Sequence, residues 1–152
     1  MSIQKKEEEL LENGVAKSGL ENYQGAIQDF TKAIGINADF ADAYFCRGSA
    51  KDRLKDYKGA LEDYNKAIEI NPNYVGTYYN RGLAKYTLAD YGGAIQDFDK
   101  AVEMNGNDAK AYVFRGLAKQ KLGDKDGAYS DWITAVKLGD SEVDSLIKEY
   151  CK

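Results

Sequence analysis

The sequence predicts an all-helical fold of four stacked hairpins, because several residue types recur every 34 positions along its 152 residues. Three such series are Gly14, Gly48, Gly82 and Gly116; Ala26, Ala60, Ala94 and Ala128; and Phe30, Tyr64, Phe98 and Trp132. Leucines and a second alanine series keep the same register. This agreement predicts four repeats, over residues 7–40, 41–74, 75–108 and 109–142.

Each repeat reads as two helices joined by a turn, and the third repeat shows this clearly. Tyr78 and Gly82 lie one helical turn apart on the first helix, and Ala94 and Phe98 share one face of the second. The break between them falls at Ala89–Asp90. The sequence therefore predicts a helix-turn-helix hairpin in every repeat.

Glycine at the eighth position of each repeat predicts a close crossing of the two helices. A glycine inside a helix costs about 1 kcal/mol relative to alanine, so its recurrence needs compensation by close backbone approach to the aromatic residue of the second helix. We expect the same explanation to hold for a second series, Gly25, Gly59, Gly93 and Gly127. The hairpins are expected to end at turn signals, which are Asn71–Pro72, Asn105–Gly106 and Gly139.

The segment after the repeats predicts a capping helix over residues 141–151. Its apolar residues recur at helical spacing and are Val143, Leu146, Ile147 and Tyr150. Ser141 is the expected N-cap, with Asp144 three residues later. Such a helix would cover the apolar end of the fourth hairpin, so residues 1–152 form a single predicted domain. Docking into another copy, or into the chain's own groove, stays open as an alternative.

The repeat resembles the tetratricopeptide repeat (TPR) family, whose 34-residue unit has small residues and an aromatic at these positions. The resemblance covers about nine tenths of the chain. It implies a right-handed superhelical solenoid whose first helices line a concave, peptide-binding groove. The chain departs from the family in its single proline, Pro72, and in arginine at the seventh position of three repeats, where the family usually has leucine.

Those arginines predict a ladder of structural ion pairs between the helices of each hairpin. The pairs expected are Arg47 with Asp63, Arg81 with Asp97, and Arg115 with Asp131. A lysine follows each arginine one turn later. Charges at regular helical spacing usually complete packing, although a ligand role for the arginines stays open.

A second apolar face on the first helices predicts the peptide-binding groove. Its expected residues are Phe45, Ser49, Arg53, Tyr79, Asn80, Leu83, Tyr86, Lys110, Val113, Phe114 and Lys121. Aromatic side chains at a groove centre are common binding anchors. Asp42 and Asp52 add acidic groups toward the amino end. Burial between adjacent repeats is an equal alternative for Leu83 and Leu117.

One subgroup of the family grips a terminal carboxylate of chaperones, and its residue pattern is largely missing here. Over the last three repeats the corresponding residues are Phe45, Ser49, Asn80, Lys110 and Phe114, of which only Asn80 and Lys110 match. A carboxylate without several converging donors has no replacement for its lost water. A carboxylate clamp is therefore not expected.

Composition excludes several kinds of function. The chain has no histidine, two cysteines (Cys46 and Cys151) and a net charge of -4. We therefore expect no enzyme, catalytic residue, cofactor or metal site, and no binding to nucleic acid. No leader or bilayer-spanning segment is visible, so we expect no membrane partner and a cytoplasmic location; an exported or shortened chain would look the same.

The predicted function is a non-catalytic protein-protein interaction module that binds a peptide or helical segment of a partner in its concave groove. The alternative is a structural scaffold that self-associates weakly through its ends or its capping helix. Charge by repeat runs from -5 in the first to +1 in the fourth, which would favour head-to-tail stacking.

Overall fold

The computed structural model describes residues 2–150, apart from the side chain of Tyr150, and over that range it contains nine helices and no strand. The helices are α1 (Ile3–Gly19), α2 (Tyr23–Ile36), α3 (Ala41–Arg53), α4 (Tyr57–Ile70), α5 (Val75–Thr87), α6 (Tyr91–Met104), α7 (Ala109–Lys121), α8 (Lys125–Lys137) and α9 (Asp144–Tyr150). The all-helical fold class predicted from the 34-residue period is confirmed.

The chain divides into two compact units, with the boundary after Ala84 inside α5. In the amino-terminal unit, α1 packs against α2, α3 against α4, and α2 also contacts α3. In the carboxyl-terminal unit, α7 packs against both α6 and α8, and α9 contacts α8. Within each unit, the second helix of one repeat thus packs on the first helix of the next.

Glycine permits the close crossing inside the hairpins, as predicted. A Cβ atom at Gly116 would lie 2.5 Å from Nε1 of Trp132 and 3.1 Å from the carbonyl oxygen of Ala128. The Trp132 side chain is fully buried there. The same approach occurs between Gly14 and Phe30 and between Gly48 and Tyr64. Because glycine has no Cβ atom, a large aromatic ring fits at this position in the hairpin core.

The second glycine series has a different cause, and the prediction of helix-helix approach for Gly25, Gly59, Gly93 and Gly127 is wrong. Each follows an N-cap residue by three positions, and its N–H donates to the capping side chain, as Gly59 does to Asp56 Oδ1 at 3.0 Å. A Cβ atom at Gly59 would collide with the Asp56 carboxylate. These glycines accommodate the cap of their own helix.

The carboxyl-terminal helix begins later than predicted, at Asp144. Ser141 is not its N-cap, because it lies three residues before the helix begins; in the turn before it, Asp140 Oδ1 accepts the N–H of Glu142. Val143 is 2% exposed and packs with Trp132 and Ala135, and Leu146 and Ile147 lie against the same cluster. Cys151 and the Tyr150 side chain lie outside the described residues. The described part of α9 therefore covers the apolar surface of the fourth hairpin.

Candidate functional site

Two of the predicted ion pairs, Arg47 with Asp63 and Arg115 with Asp131, form inside their hairpins. Arg47 donates to Asp63 through Nε at 2.9 Å and Nη2 at 2.7 Å, and Lys51 Nζ lies 2.9 Å from the same carboxylate. Asp63 is 3% exposed. Arg115 contacts Asp131 in the same two-pronged way.

The lysines one turn after the arginines also pair with the buried aspartates of their hairpins. Lys85 Nζ lies 2.9 Å from Asp97, and Lys119 Nζ lies 2.8 Å from Asp131. Arg81 Nη1 donates to Asn65 at 2.8 Å. In the first repeat, which has no arginine at the seventh position, Lys17 pairs with Asp29 at 2.5 Å.

Each arginine also contacts the second helix of the preceding repeat, which the sequence analysis did not predict. The acceptors lie 16 residues earlier and are Thr31 for Arg47, Asn65 for Arg81 and Asp99 for Arg115. Each guanidinium also lies 5.1 to 5.7 Å from the ring of the tyrosine three residues before it. These side chains are thus engaged in joining helices and repeats.

A groove of about 590 Å³ opens between the first helices of the amino-terminal unit. We define this amino-terminal groove by Val15, Ser18, Gly19, Tyr23, Ser49, Ala50, Asp52, Arg53, Tyr64, Asn80 and Leu83. It brings together four of the predicted groove residues, namely Ser49, Arg53, Asn80 and Leu83. Its volume lies in the range of ordinary ligand sites.

Tyr64 supplies an unsatisfied hydroxyl to this groove. The residue is fully buried, and its Oη forms no hydrogen bond with any described residue. Burial, and then the negative charge of Asp52, raises the pKa of the Tyr64 hydroxyl well above its usual range. Asp52 and Ser49 are therefore near neighbours, but neither meets hydrogen-bond geometry with Oη. The hydroxyl therefore stays neutral.

Asp52 and Arg53 carry the charge of the groove. Burial raises the pKa of the Asp52 carboxyl above its usual value, with Tyr64 and Arg53 partly opposing the shift. No described cation lies within salt-bridge distance of Asp52. The Arg53 guanidinium is exposed; its Nε donates to Tyr23 Oη at 3.2 Å, and it lies 5.7 Å from the Tyr23 ring.

The other predicted groove residues of this unit take part in packing. The Phe45 ring lies 5.0 Å from that of Tyr74 and 6.1 Å from that of Tyr64, inside its own repeat. Tyr79 is half-buried on α5. Phe45 and Ser49 also border a second hollow of about 160 Å³ beside Cys46.

In the carboxyl-terminal unit, the predicted groove residues fall into two groups. Tyr86 lies 6.4 Å from Phe114, and Phe114 stacks on Phe98 at 6.2 Å, so both aromatics pack between helices. Val113 lies against the Trp132 cluster, and its carbonyl accepts from Trp132 Nε1 at 3.3 Å. Lys110 and Lys121 are exposed to solvent.

Tyr64 was missed because the 34-residue period identifies it only as the aromatic core residue of its repeat. The signal lay in the series itself, where Phe30, Phe98 and Trp132 have no hydroxyl and Tyr64 does. Tyr64 therefore brings a hydroxyl oxygen into the hairpin core at a position where the other repeats have none.

Groups suited to catalysis or metal binding are scarce over residues 2–150. Burial raises the pKa of the Cys46 thiol to about 11, with a smaller contribution from Asp42, so the thiol stays protonated near neutral pH. Within the same range, no three acidic or cysteine side chains converge to hold a metal ion. None of the described helices has the length and hydropathy needed to cross a bilayer.

Two sequence models of known families match the middle of the chain. A model described as TPR repeat matches residues 53–88, and one described as tetratricopeptide repeat matches residues 75–108. No curated protein matches the chain.

Solved structures similar to this chain are helical-repeat proteins. A crystal structure of MamA is 25% identical and has a TM-score of 0.85, covering 91% of this chain and 81% of that chain. The first TPR of Spaghetti (RPAP3), bound to the HSP90 peptide SRMEEVD, is 28% identical with a TM-score of 0.77, covering 78% and 94%. TTC0263, a thermophilic TPR protein of Thermus thermophilus, shares the fold at 24% identity and a TM-score of 0.74, covering 95% and 80%.

Proposed function

Because the chain is a tetratricopeptide-repeat protein, we propose that it is a non-catalytic module that binds a peptide segment of a partner protein. The amino-terminal groove is the site we assign to that peptide. The first helices α1, α3 and α5 each contribute residues to it.

The observation that carries this proposal is the unsatisfied Tyr64 hydroxyl in an open groove. A buried hydroxyl without a partner costs about 1–3 kcal/mol, so a folded protein normally bonds it or removes it. Here the hydroxyl is fully buried, and Tyr64 lines a hollow together with Ser49, Asp52 and Asn80. A bound peptide would provide the missing hydrogen bond.

One similar structure supports a peptide as the class of ligand. The similar RPAP3 domain is bound to a peptide of HSP90. The chain lacks most of the side chains expected of a carboxylate clamp, since Phe45, Ser49 and Phe114 stand at three of its five positions. We therefore propose peptide binding with a different chemical preference.

The non-catalytic assignment rests on the chemistry of the groove. A hydrolytic or transfer reaction needs a nucleophile activated by a base, or a bound metal or cofactor. The groove offers two tyrosines, two serines, an amide, one carboxylate and one guanidinium, with no histidine anywhere in the sequence. These groups form hydrogen bonds and an ion pair with a ligand but provide no activated nucleophile.

The test is selection of binding peptides from a displayed random library, followed by affinity measurement against two variants. Ser49→Trp fills the groove, and we expect it to weaken the selected peptides at least about tenfold. Ser130→Trp places the same side chain on the exposed surface of α8 and should leave affinity unchanged. Equal affinities for both folded variants, checked by thermal unfolding, would place the binding site elsewhere and contradict the proposal.

A further inference from the structure

We infer that the amino-terminal groove selects a cationic side chain, lysine or arginine, on the bound peptide. This inference rests on the proposed function and deepens it. The side chain would enter between α3 and α5, where its N–H groups would donate to the Asp52 carboxylate and to the Tyr64 oxygen.

The groove brings several hydrogen-bond acceptors together. Asp52, Ser49, Tyr64 and Asn80 all line the groove, and each offers an oxygen atom. An ammonium or guanidinium group needs several acceptors to replace its lost water. These four side chains come from three different helices, so a single cation can be surrounded from several directions.

The cationic side chains near the groove already have partners of their own. Lys17 pairs with Asp29 and Lys51 with Asp63, at 2.5 and 2.9 Å. The exposed Arg53 is held against Tyr23 by a hydrogen bond and its ring contact. Among the described residues, no cation lies within salt-bridge distance of the Asp52 carboxylate. The Asp52 carboxylate therefore has no direct ion pair with a described residue, while Arg53 is the cationic side chain that also lines the groove.

Two helices have their carboxyl ends at the groove. Helix α1 ends at Gly19 and α3 ends at Arg53, and both of these terminal residues line the groove. The carboxyl end of a helix carries a partial negative charge of about half an elementary unit. Two such ends add to the field of Asp52, so the groove attracts cations and repels a terminal carboxylate.

The Tyr64 hydroxyl provides the independent evidence that this acidic region is a binding site. Its oxygen is fully buried and unbonded, and it belongs to the same groove as Asp52. A cation placed between the two groups would satisfy the hydroxyl and neutralise the carboxylate at once. A hydrophobic side chain in this position would leave both penalties in place.

The experiment compares four peptides that differ at one residue. The probes are acetyl-Ala-Tyr-X-Tyr-Ala-amide with lysine, arginine, norleucine or glutamate at X, titrated into the isotope-labelled full chain and followed by amide chemical shifts. We expect the lysine and arginine peptides to shift Ser49, Asp52 and Asn80 and to bind at least about tenfold more tightly than norleucine. Their affinity should fall between about 50 and 300 mM salt.

Three variants separate the specific role of the groove from general charge. Asp52→Asn and Tyr64→Phe should each reduce the lysine-to-norleucine ratio at least about threefold. Glu62→Gln removes the same unit charge from the exposed face of α4 and should leave the ratio unchanged. Thermal unfolding of each variant verifies that it is folded.

The outcomes distinguish this inference from the function on which it rests. Equal binding of the lysine and norleucine peptides, stronger binding of the glutamate peptide, or no shift at the groove residues would each overturn the cation preference. A peptide selected from the random library that binds in the groove without a cation would do the same and leave the proposed function intact. Failure of Ser49→Trp to weaken any selected peptide would overturn both.

Discussion

Arg115 holds the buried carboxylate of Asp131 with two hydrogen bonds, of 2.9 Å from Nε and 2.5 Å from Nη2. Its remaining nitrogen, Nη1, lies 2.7 Å from Asp99 on the second helix of the preceding repeat. One guanidinium therefore joins the two helices of its own hairpin and fixes the preceding repeat against them. A lysine carries its three donors on a single nitrogen and lacks the planar fork that makes the two-pronged contact with Asp131.

Replacing this arginine should damage stability far more than removing an exposed ion pair. Arg115→Leu leaves Asp131 buried with only Lys119, and we expect a loss of about 2–4 kcal/mol in the free energy of unfolding. The matched control is Lys100→Leu, which breaks an exposed pair with Glu103 and should cost under about 0.5 kcal/mol. Urea unfolding of both variants measures the difference. Similar losses in the free energy of unfolding would show that Arg115 does not stabilise the contact between its helices and the preceding repeat.

The two buried tyrosine hydroxyls should respond oppositely to removal. Tyr64→Phe deletes an unbonded hydroxyl, so stability should stay the same or rise by up to about 1 kcal/mol. Tyr78→Phe deletes a hydroxyl that donates to the Pro72 carbonyl at 2.9 Å, and should cost about 1 kcal/mol. Denaturant unfolding at neutral pH checks both. A clear destabilisation by Tyr64→Phe would mean that its hydroxyl is bonded in solution.

Glycine-to-alanine changes should separate packing from helix propensity. At Gly116 the added Cβ meets the Trp132 ring and a backbone carbonyl of α8, so Gly116→Ala should destabilise by about 1–3 kcal/mol. At Gly35, near the end of α2, nothing lies within 4 Å of the added atom, and alanine should stabilise by up to about 1 kcal/mol. Thermal unfolding of the pair measures both signs, and stabilisation by Gly116→Ala would disprove the close crossing.

The repeat period made the fold predictable, because glycine, alanine and aromatic residues meet at the same crossing in every hairpin. Gly116 and Trp132 lie far apart along the chain, yet the period alone places them on facing helices. Finer features were not predictable in this way. The role of Gly59 depends on where its helix begins, and the apolar spacing of Val143 and Leu146 does not give the residue at which α9 begins.

The site was only partly predictable, for a related reason. Helical spacing places Ser49 and Asn80 on the groove side of α3 and α5, and the structure brings both into one groove. The aromatic series shows that Tyr64 carries a hydroxyl, but spacing does not report hydrogen-bond geometry, so the sequence does not tell whether that hydroxyl is bonded. Nor does it distinguish an aromatic that lines a groove from one that packs against a neighbour, as Phe114 does with Phe98.

The pH dependence of stability should reveal the cost of keeping Asp52 charged. Burial raises the pKa of the folded carboxyl above the unfolded value of 3.8, so the folded state binds the proton more tightly. The charged form therefore lowers stability at pH values above the folded pKa, and this penalty disappears as pH falls through that pKa toward 3.8. Tyr64 and Arg53 are the titratable neighbours that oppose the shift.

Asp52→Asn should accordingly be more stable than the unchanged chain at pH 7, with the advantage shrinking as the pH is lowered. Urea unfolding of both proteins at neutral and acidic pH gives this difference directly. If Asp52→Asn is less stable than the unchanged chain at pH 7, the Asp52 carboxylate stabilises the fold, which would contradict the prediction.

The most direct measurement is the map of amide chemical-shift changes when the full chain binds a peptide selected from a random library. The account predicts that the largest changes fall on α3 and α5, at Ser49, Asp52, Asn80 and Leu83, and that Ser49→Trp abolishes them. Changes concentrated on the second helices α2 and α4, or on α9, with the amino-terminal groove unaffected, would contradict it.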